Sequence, residues 1–172
     1  MNQRTNTSIW GYVLLAIGLL LAAAWVLYRI TNPPVAEDPW ADYVRVDAAA
    51  EIPPGMSADM ESVLREYNAG AYRDVSQKLP LLLMDSTQAY PITGLYYLGL
   101  SYLGFGEAYS AIYQLEAIPT DHPLRPRADY YRGVAYWLTG NSKKGRTILR
   151  RIADSPDHPE VRRAQAILAS EL

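Results

Sequence analysis

Residues 95–123 read LYYLGLSYLGFGEAYSAIYQLEAIPTDHP. Within them Leu98-Gly99-x-x-Tyr102, Gly106-Glu107, Ala111, Leu115, Ile118 and Pro123 set a pattern that returns once more. The second copy is Gly133-x-x-Tyr136, Gly140-Asn141, Gly145, Leu149 and Ile152. Gly99 and Gly133, Tyr102 and Tyr136, and Gly106 and Gly140 are each 34 residues apart. A shared period of that length marks a stacked array of helical hairpins, because one hairpin cannot bury its own apolar face and needs a neighbour.

Each position has a physical reason. Gly99 and Gly133 remove a side chain where the second helix of a hairpin crosses the first, and Ala111 and Gly145 do the same from the facing helix. Gly106 and Gly140 stand where the chain leaves the first helix and needs a left-handed residue, which glycine adopts without a Cβ penalty. Leu115, Ile118, Leu149 and Ile152 supply the apolar stripe of the second helix. A weaker copy precedes these, with Gly70-x-Tyr72, Val75, Leu79 and Leu82 aligned to the Gly106 block at a spacing of 36, so that the loop 85–91 carries two additional residues. After the last hairpin Val161, Ala164, Ile167, Leu168 and Leu172 fall at helical spacing and read as a capping helix.

This pattern resembles the tetratricopeptide repeat over about two thirds of the chain. The resemblance implies an all-α fold, with an α-α superhelix of about three tetratricopeptide-like hairpins and a C-terminal capping helix over residues 57–172. Asp129 and Arg132 depart from it, since they stand where the family prefers large apolar residues, so the third hairpin is expected to pack less typically.

The 172 residues allow one domain with appendages. There is no cysteine, which excludes disulfides, a thiol nucleophile and a thiolate metal site. The net charge of −2 hides a polarity along the chain: residues 1–36 hold two basic groups, 37–123 hold 4 basic and 13 acidic, and 124–172 hold 10 basic and 5 acidic. The basic end suits an acidic partner or the acidic flank of a second copy, or is simply a solvated face around Lys143, Lys144, Arg146, Arg150 and Arg151. No aromatic side chains interleave those cations, so nucleic acid is not an expected partner.

After a short polar head at 1–8, residues 9–28 carry no charge. As a helix at ~1.5 Å per residue they span roughly 30 Å, the thickness of bilayer hydrocarbon. Trp10 and Tyr12 lie near one end and Trp25 and Tyr28 near the other, where amphipathic rings settle at the interfaces. Residues 9–30 are therefore expected to form a single transmembrane helix that binds the lipid bilayer. The alternative is a signal peptide cleaved after Ala22-Ala23-Ala24, although Trp25-Val26-Leu27-Tyr28 continue the apolar run past that site. Gly18 and Ala22 make a small-xxx-small pair that would allow a homodimer through this helix. The positive-inside count is nearly balanced; similarity to bacterial single-pass proteins that carry such repeats implies an inner-membrane anchor with a cytoplasmic amino terminus and a periplasmic repeat domain.

Residues 31–56 form a linker with Pro33, Pro34, Pro39, Pro53 and Pro54, which leaves no room for a long helix. Its middle, Trp40-Ala-Asp-Tyr43-Val44-Arg-Val46, is too apolar for a pure spacer and is expected to lie on the repeat surface or the membrane. Ser57 reads as an N-cap, with Asp59 and Glu61 in the first turn that follows.

Catalytic readings find little support. His122 and His158 both stand in Asp-His-Pro turns, without the further ligands a metal needs. Glu61 with Glu66, or Glu107 with Glu116, have no apolar surroundings to split their pKa values. Gly99, Gly104 and Gly106 sit at packing and turn positions, not between a strand and a helix as a phosphate loop requires. No enzyme activity and no cofactor are expected.

The resemblance does imply a binding face. Carried over position by position, the concave groove is lined by Thr93, Tyr96, Leu100 and Leu103, then by Arg127, Tyr130, Val134, Trp137 and Leu138, and extended by Leu64, Tyr67 and Asn68. Such a wall suits an apolar or aromatic-bearing helix or an extended peptide of another protein. The lysine and asparagine with which some family members grip a terminal carboxylate are replaced by Tyr96, Leu100, Tyr130 and Val134. Alternatively these aromatics are core, covered in cis by the capping helix or by Trp40 and Tyr43. The expected function is a membrane-tethered protein–protein interaction module, in envelope protein export or folding or in a membrane regulatory complex, or else a structural accessory subunit of a membrane complex.

Overall fold

The computed structural model describes residues 11–15, 17–19, 21–23, 46–47, 55–85 and 90–170. The chain divides into two compact units, Met1–Pro39 and Trp40–Leu172. In the first unit, 11–15, 17–19 and 21–23 are helical. Their large side chains are exposed, with Tyr12 at 74% and Leu14, Leu19 and Leu21 at 65–67%. Among the described residues no helix is long and apolar enough to cross a membrane. The rest of the expected span 9–30, most of the linker 31–56 including Trp40 and Tyr43, and Leu172 lie outside the described residues.

The second unit is all-α, with no strand among its described residues. Its helices are α1 Ala58–Asn68, α2 Tyr72–Leu83, α3 Pro91–Gly104, α4 Ala108–Glu116, α5 Arg125–Leu138, α6 Ser142–Ala153 and α7 Val161–Ala169. Each packs on its predecessor and successor in the chain, and α1 also touches α3 as α3 touches α5. Helices α1, α3 and α5 thus make one continuous row, and α2, α4 and α6 lie against it as the second helices of three hairpins. The start signals are local: the Ser57 hydroxyl accepts from Met60 N at 3.3 Å, Asn141 Oδ1 accepts from Lys144 N at 3.3 Å, and a proline opens α3 and α5.

The repeated glycines do what their spacing predicts. Gly106 and Gly140 have φ of +93° and +80°, and Gly70 of the weaker copy has +80°. At Gly106 the turn closes with Glu107 N donating to Tyr102 O at 2.8 Å, the long bond of a Schellman cap. A Cβ on Gly99 would lie 2.8 Å from Leu115 Cγ, one on Gly133 3.1 Å from Leu149 Cγ, and one on Gly145 2.7 Å from the Gly133 carbonyl oxygen. The two hairpins α3–α4 and α5–α6 therefore cross at equivalent points, with backbone nearly touching backbone at Gly145.

Asp129 and Arg132 replace apolar packing by a charge cluster. Asp129 Oδ1 accepts from Arg125 Nε at 3.0 Å and forms an ion pair with Arg132 at 3.1 Å, and its Oδ2 accepts from Arg151 at 3.2 Å. The cluster ties α5 to α6. Part of the basic face of α6 is likewise engaged within the fold, while Lys143 and Arg150 are exposed. Lys144 lies 3.9 Å from the Tyr136 ring centre and donates to the Tyr136 hydroxyl, which donates to Glu116 at 2.6 Å, and Arg146 stacks over Trp137 at 5.5 Å.

Candidate functional site

The row α1, α3, α5 carries a ladder of tyrosines. Tyr67 meets Tyr97 edge-on with ring centres 4.9 Å apart, Tyr97 meets Tyr96 at 5.3 Å, Tyr96 meets Tyr131 at 6.4 Å and Tyr131 meets Tyr130 at 5.1 Å. Edge-to-face geometry places the positive ring edge on the neighbour's negative face, which favours each pair beyond its burial. The rings are interior; the hydroxyls of Tyr67, Tyr96 and Tyr131 converge on one place.

That place holds Asp47. The Tyr67 hydroxyl donates to the Asp47 carbonyl oxygen at 2.8 Å, and the Tyr131 hydroxyl accepts from the Asp47 backbone N–H at 3.1 Å. The Tyr96 hydroxyl donates to Asp47 Oδ2 at 3.3 Å, and Arg163 donates to Oδ1 at 3.3 Å. One non-helical residue, 20 positions before Tyr67 and 116 before Arg163, is thus gripped by its amide, its carbonyl and both carboxylate oxygens. Val46 beside it packs against the core.

Helix α7 supplies the fourth side. Arg163 lies 4.5 Å from the ring centre of Tyr130 and 5.3 Å from that of Tyr131, and it also donates to the Tyr131 hydroxyl at 3.1 Å. Its guanidinium is shared with Glu160, at 3.1 Å, whose other oxygen faces Arg127 at 3.8 Å. Glu160 is itself buried, and the His158 ring holds its backbone by accepting from Glu160 N at 3.1 Å. His122 has the same role in the preceding inter-hairpin turn, its Nδ1 accepting from Leu124 N at 3.2 Å. In both Asp-His-Pro turns it is the imidazole that accepts a backbone N–H of the residue two positions on.

Burial raises the pKa of the phenols. Tyr130 is pushed up to about 12, chiefly by desolvation, with Arg163 pulling the other way. Desolvation raises Tyr131, Tyr67 and Tyr96 further still. Burial works against the Arg163 charge, but the hydrogen bond to Tyr131 and the neighbouring Glu160 carboxylate favour it, so the guanidinium stays protonated. The phenols remain neutral hydrogen-bond partners and the arginine a fixed cation.

Of the residues expected to line the groove, Tyr67, Tyr96, Leu100, Leu103, Tyr130 and Val134 are buried, Trp137 is half-buried and Arg127 is exposed. Tyr67 and Tyr96 meet at Asp47, Arg127 and Tyr130 flank Arg163, and Leu100, Leu103 and Val134 belong to the apolar interior behind them. Sequence reasoning did not select Asp47, Tyr131, Glu160 or Arg163. The available signals were an acidic residue closing the run Tyr43-Val44-Arg45-Val46 and the pair Arg162-Arg163 at the start of the capping helix.

No protein-family model matches the chain, and no curated protein or solved structure matches it.

Of the carboxylates considered as acid–base pairs, Glu61 and Glu66 are half-buried and paired with cations, Glu61 with Arg65 at 3.5 Å and Glu66 with Lys78 at 2.6 Å, and Glu107 and Glu116 are exposed. Among the described residues no three histidine, aspartate or glutamate side chains come together as metal ligands. What the Asp47 site can do chemically is recognise: it offers one phenol that accepts from a backbone N–H, one that donates to a backbone carbonyl, and a cation flanked by phenols.

Proposed function

We propose that this chain is a protein–protein interaction module, a tetratricopeptide-like superhelix of three hairpins whose concave wall holds a non-helical polypeptide segment. The observation that carries the reading is the fourfold grip on Asp47. A wall that served only as core would bury its hydroxyls against its own helices, whereas here three phenols from α1, α3 and α5 address the main chain and side chain of a segment outside the stack. The uncharged run 9–28, with exposed apolar side chains where it is described, supports a single-pass membrane tether. A tether of this kind raises the local concentration of module and membrane partner, so modest groove affinity suffices. A bacterial inner membrane with the repeats in the periplasm is the setting the repeat resemblance suggests.

The test is site-specific photo-crosslinking in membranes. A photo-reactive residue replacing Arg127, at the rim of the grip, is expected to capture another polypeptide, while one replacing Lys78, on the far hairpin, is not. Equal capture at both positions, or crosslinks only within the chain, would refute the module. The occupied grip also favours a second reading, a structural accessory subunit with a wall permanently filled in cis. That reading predicts the same stoichiometric membrane subunits in every native extraction and no exchange at Arg127.

A further inference from the structure

We infer that the grip on Asp47 is a subsite specific for an acidic side chain in a non-helical peptide, and that Asp47 fills it as a stand-in for a partner's acidic residue. The inference rests on the interaction-module reading and adds the chemistry of the partner.

The four contacts divide by what they can read. Tyr131 accepts a backbone N–H and Tyr67 donates to a backbone carbonyl, so these two accommodate any residue except proline. Tyr96 and Arg163 address the side chain, one at each carboxylate oxygen. Both present donors, and an ionised carboxylate is the side chain that is acceptor on both of its ends. An amide would turn its NH2 toward one of those donors, and an apolar side chain would leave both without the acceptor.

Charge agrees with the hydrogen bonds. Among the described groups at this place two guanidiniums, Arg127 and Arg163, stand beside one fixed carboxylate, Glu160, and the entering carboxylate of Asp47 balances the pair. The Asp47 side chain keeps 26% of its surface exposed, so the subsite opens outward and can be entered from solvent. The occupant belongs to the same chain, Asp47 meeting Arg163 across 116 residues and Val46 packing on the core. A cis ligand of this sort competes at an effective concentration on the order of millimolar, which masks the site until a partner with more contacts displaces it.

The experiment uses the full chain and a fluorescein-labelled synthetic peptide of residues 43–51, with either aspartate or asparagine at the position of Asp47. Fluorescence anisotropy is read against wild type, Asp47→Ala, and Asp47→Ala combined with Arg163→Gln. In Asp47→Ala the aspartate peptide is expected to bind at least about tenfold more tightly than the asparagine peptide, the size of one charge-assisted hydrogen bond. Wild type should bind it at least about tenfold more weakly than Asp47→Ala, because the cis carboxylate competes. Adding Arg163→Gln should erase the preference between the two peptides. Equal binding of both peptides by Asp47→Ala overturns the acidic subsite and leaves the module intact. No binding of either peptide by Asp47→Ala, with its helical circular dichroism unchanged, overturns both. Asp47→Asn, which keeps the shape of the side chain, serves as the host if the alanine variant loses helicity, with the same outcomes.

Discussion

Raising the pH should unfold the repeat unit through its tyrosine ladder. Tyr67, Tyr96, Tyr130 and Tyr131 are buried, and all four have pKa values above the ordinary 10.0 of the unfolded chain. Below pH 10 both states keep the phenolic protons, and the contribution to stability is fully present. Above it the unfolded chain releases protons that the folded state retains, so each step upward in pH favours unfolding. By pH 11 one such phenol removes about 1.4 kcal/mol, and four together remove roughly 5–6 kcal/mol. A domain of ordinary stability, about 5–15 kcal/mol, should therefore lose its helices between about pH 11 and 13. The assay is a paired titration, phenolate absorbance at 295 nm against helicity at 222 nm. Of the 14 phenols at least these four are expected to ionise only with the loss of helix, in one cooperative step. If all 14 ionise while the helical signal persists, the ladder is accessible to solvent and the reasoning about the grip fails with it.

Three other outcomes follow from particular contacts. Gly145→Ala would push a methyl to within 2.7 Å of the Gly133 carbonyl. Parting α5 from α6 costs about 1–3 kcal/mol, partly offset by the roughly 1 kcal/mol better helix propensity of alanine, so its urea midpoint should fall. Gly140→Ala meets no neighbour but is held at φ +80°, and should lose about 1–2 kcal/mol through backbone strain alone. Asp129→Ala leaves Arg125 and Arg132, each about 14% exposed, without their carboxylate. Chemical denaturation should register a loss of about 2–4 kcal/mol, with Asp129→Asn losing less.

The 34-residue period carried most of the fold because its cues are local. A glycine with positive φ after a helix, a small residue at a crossing and a proline or serine at a helix start each act within a few residues of sequence, and two or three copies reinforce one another. Where the pattern failed, as at Asp129 and Arg132, the deviation was visible but its resolution was not. Only the approach of Arg151 from α6 and Arg125 from the preceding turn shows why a carboxylate is stable there.

The candidate site divides the same way. Tyr67, Tyr96, Arg127 and Tyr130 were legible because repeat position assigns them to one wall. Asp47, Glu160 and Arg163 belong to no repeat and are separated from that wall by stretches no period connects.

By itself the sequence determined an all-helical stack, its hairpin crossings and its turns, since those depend on spacing and on the conformational freedom of single residues. What occupies the wall was decided only by the tertiary structure. A hydrogen bond between residues 116 apart leaves no periodic trace in the chain, and the meaning of Asp47 arises only where Tyr67, Tyr96, Tyr131 and Arg163 converge on it.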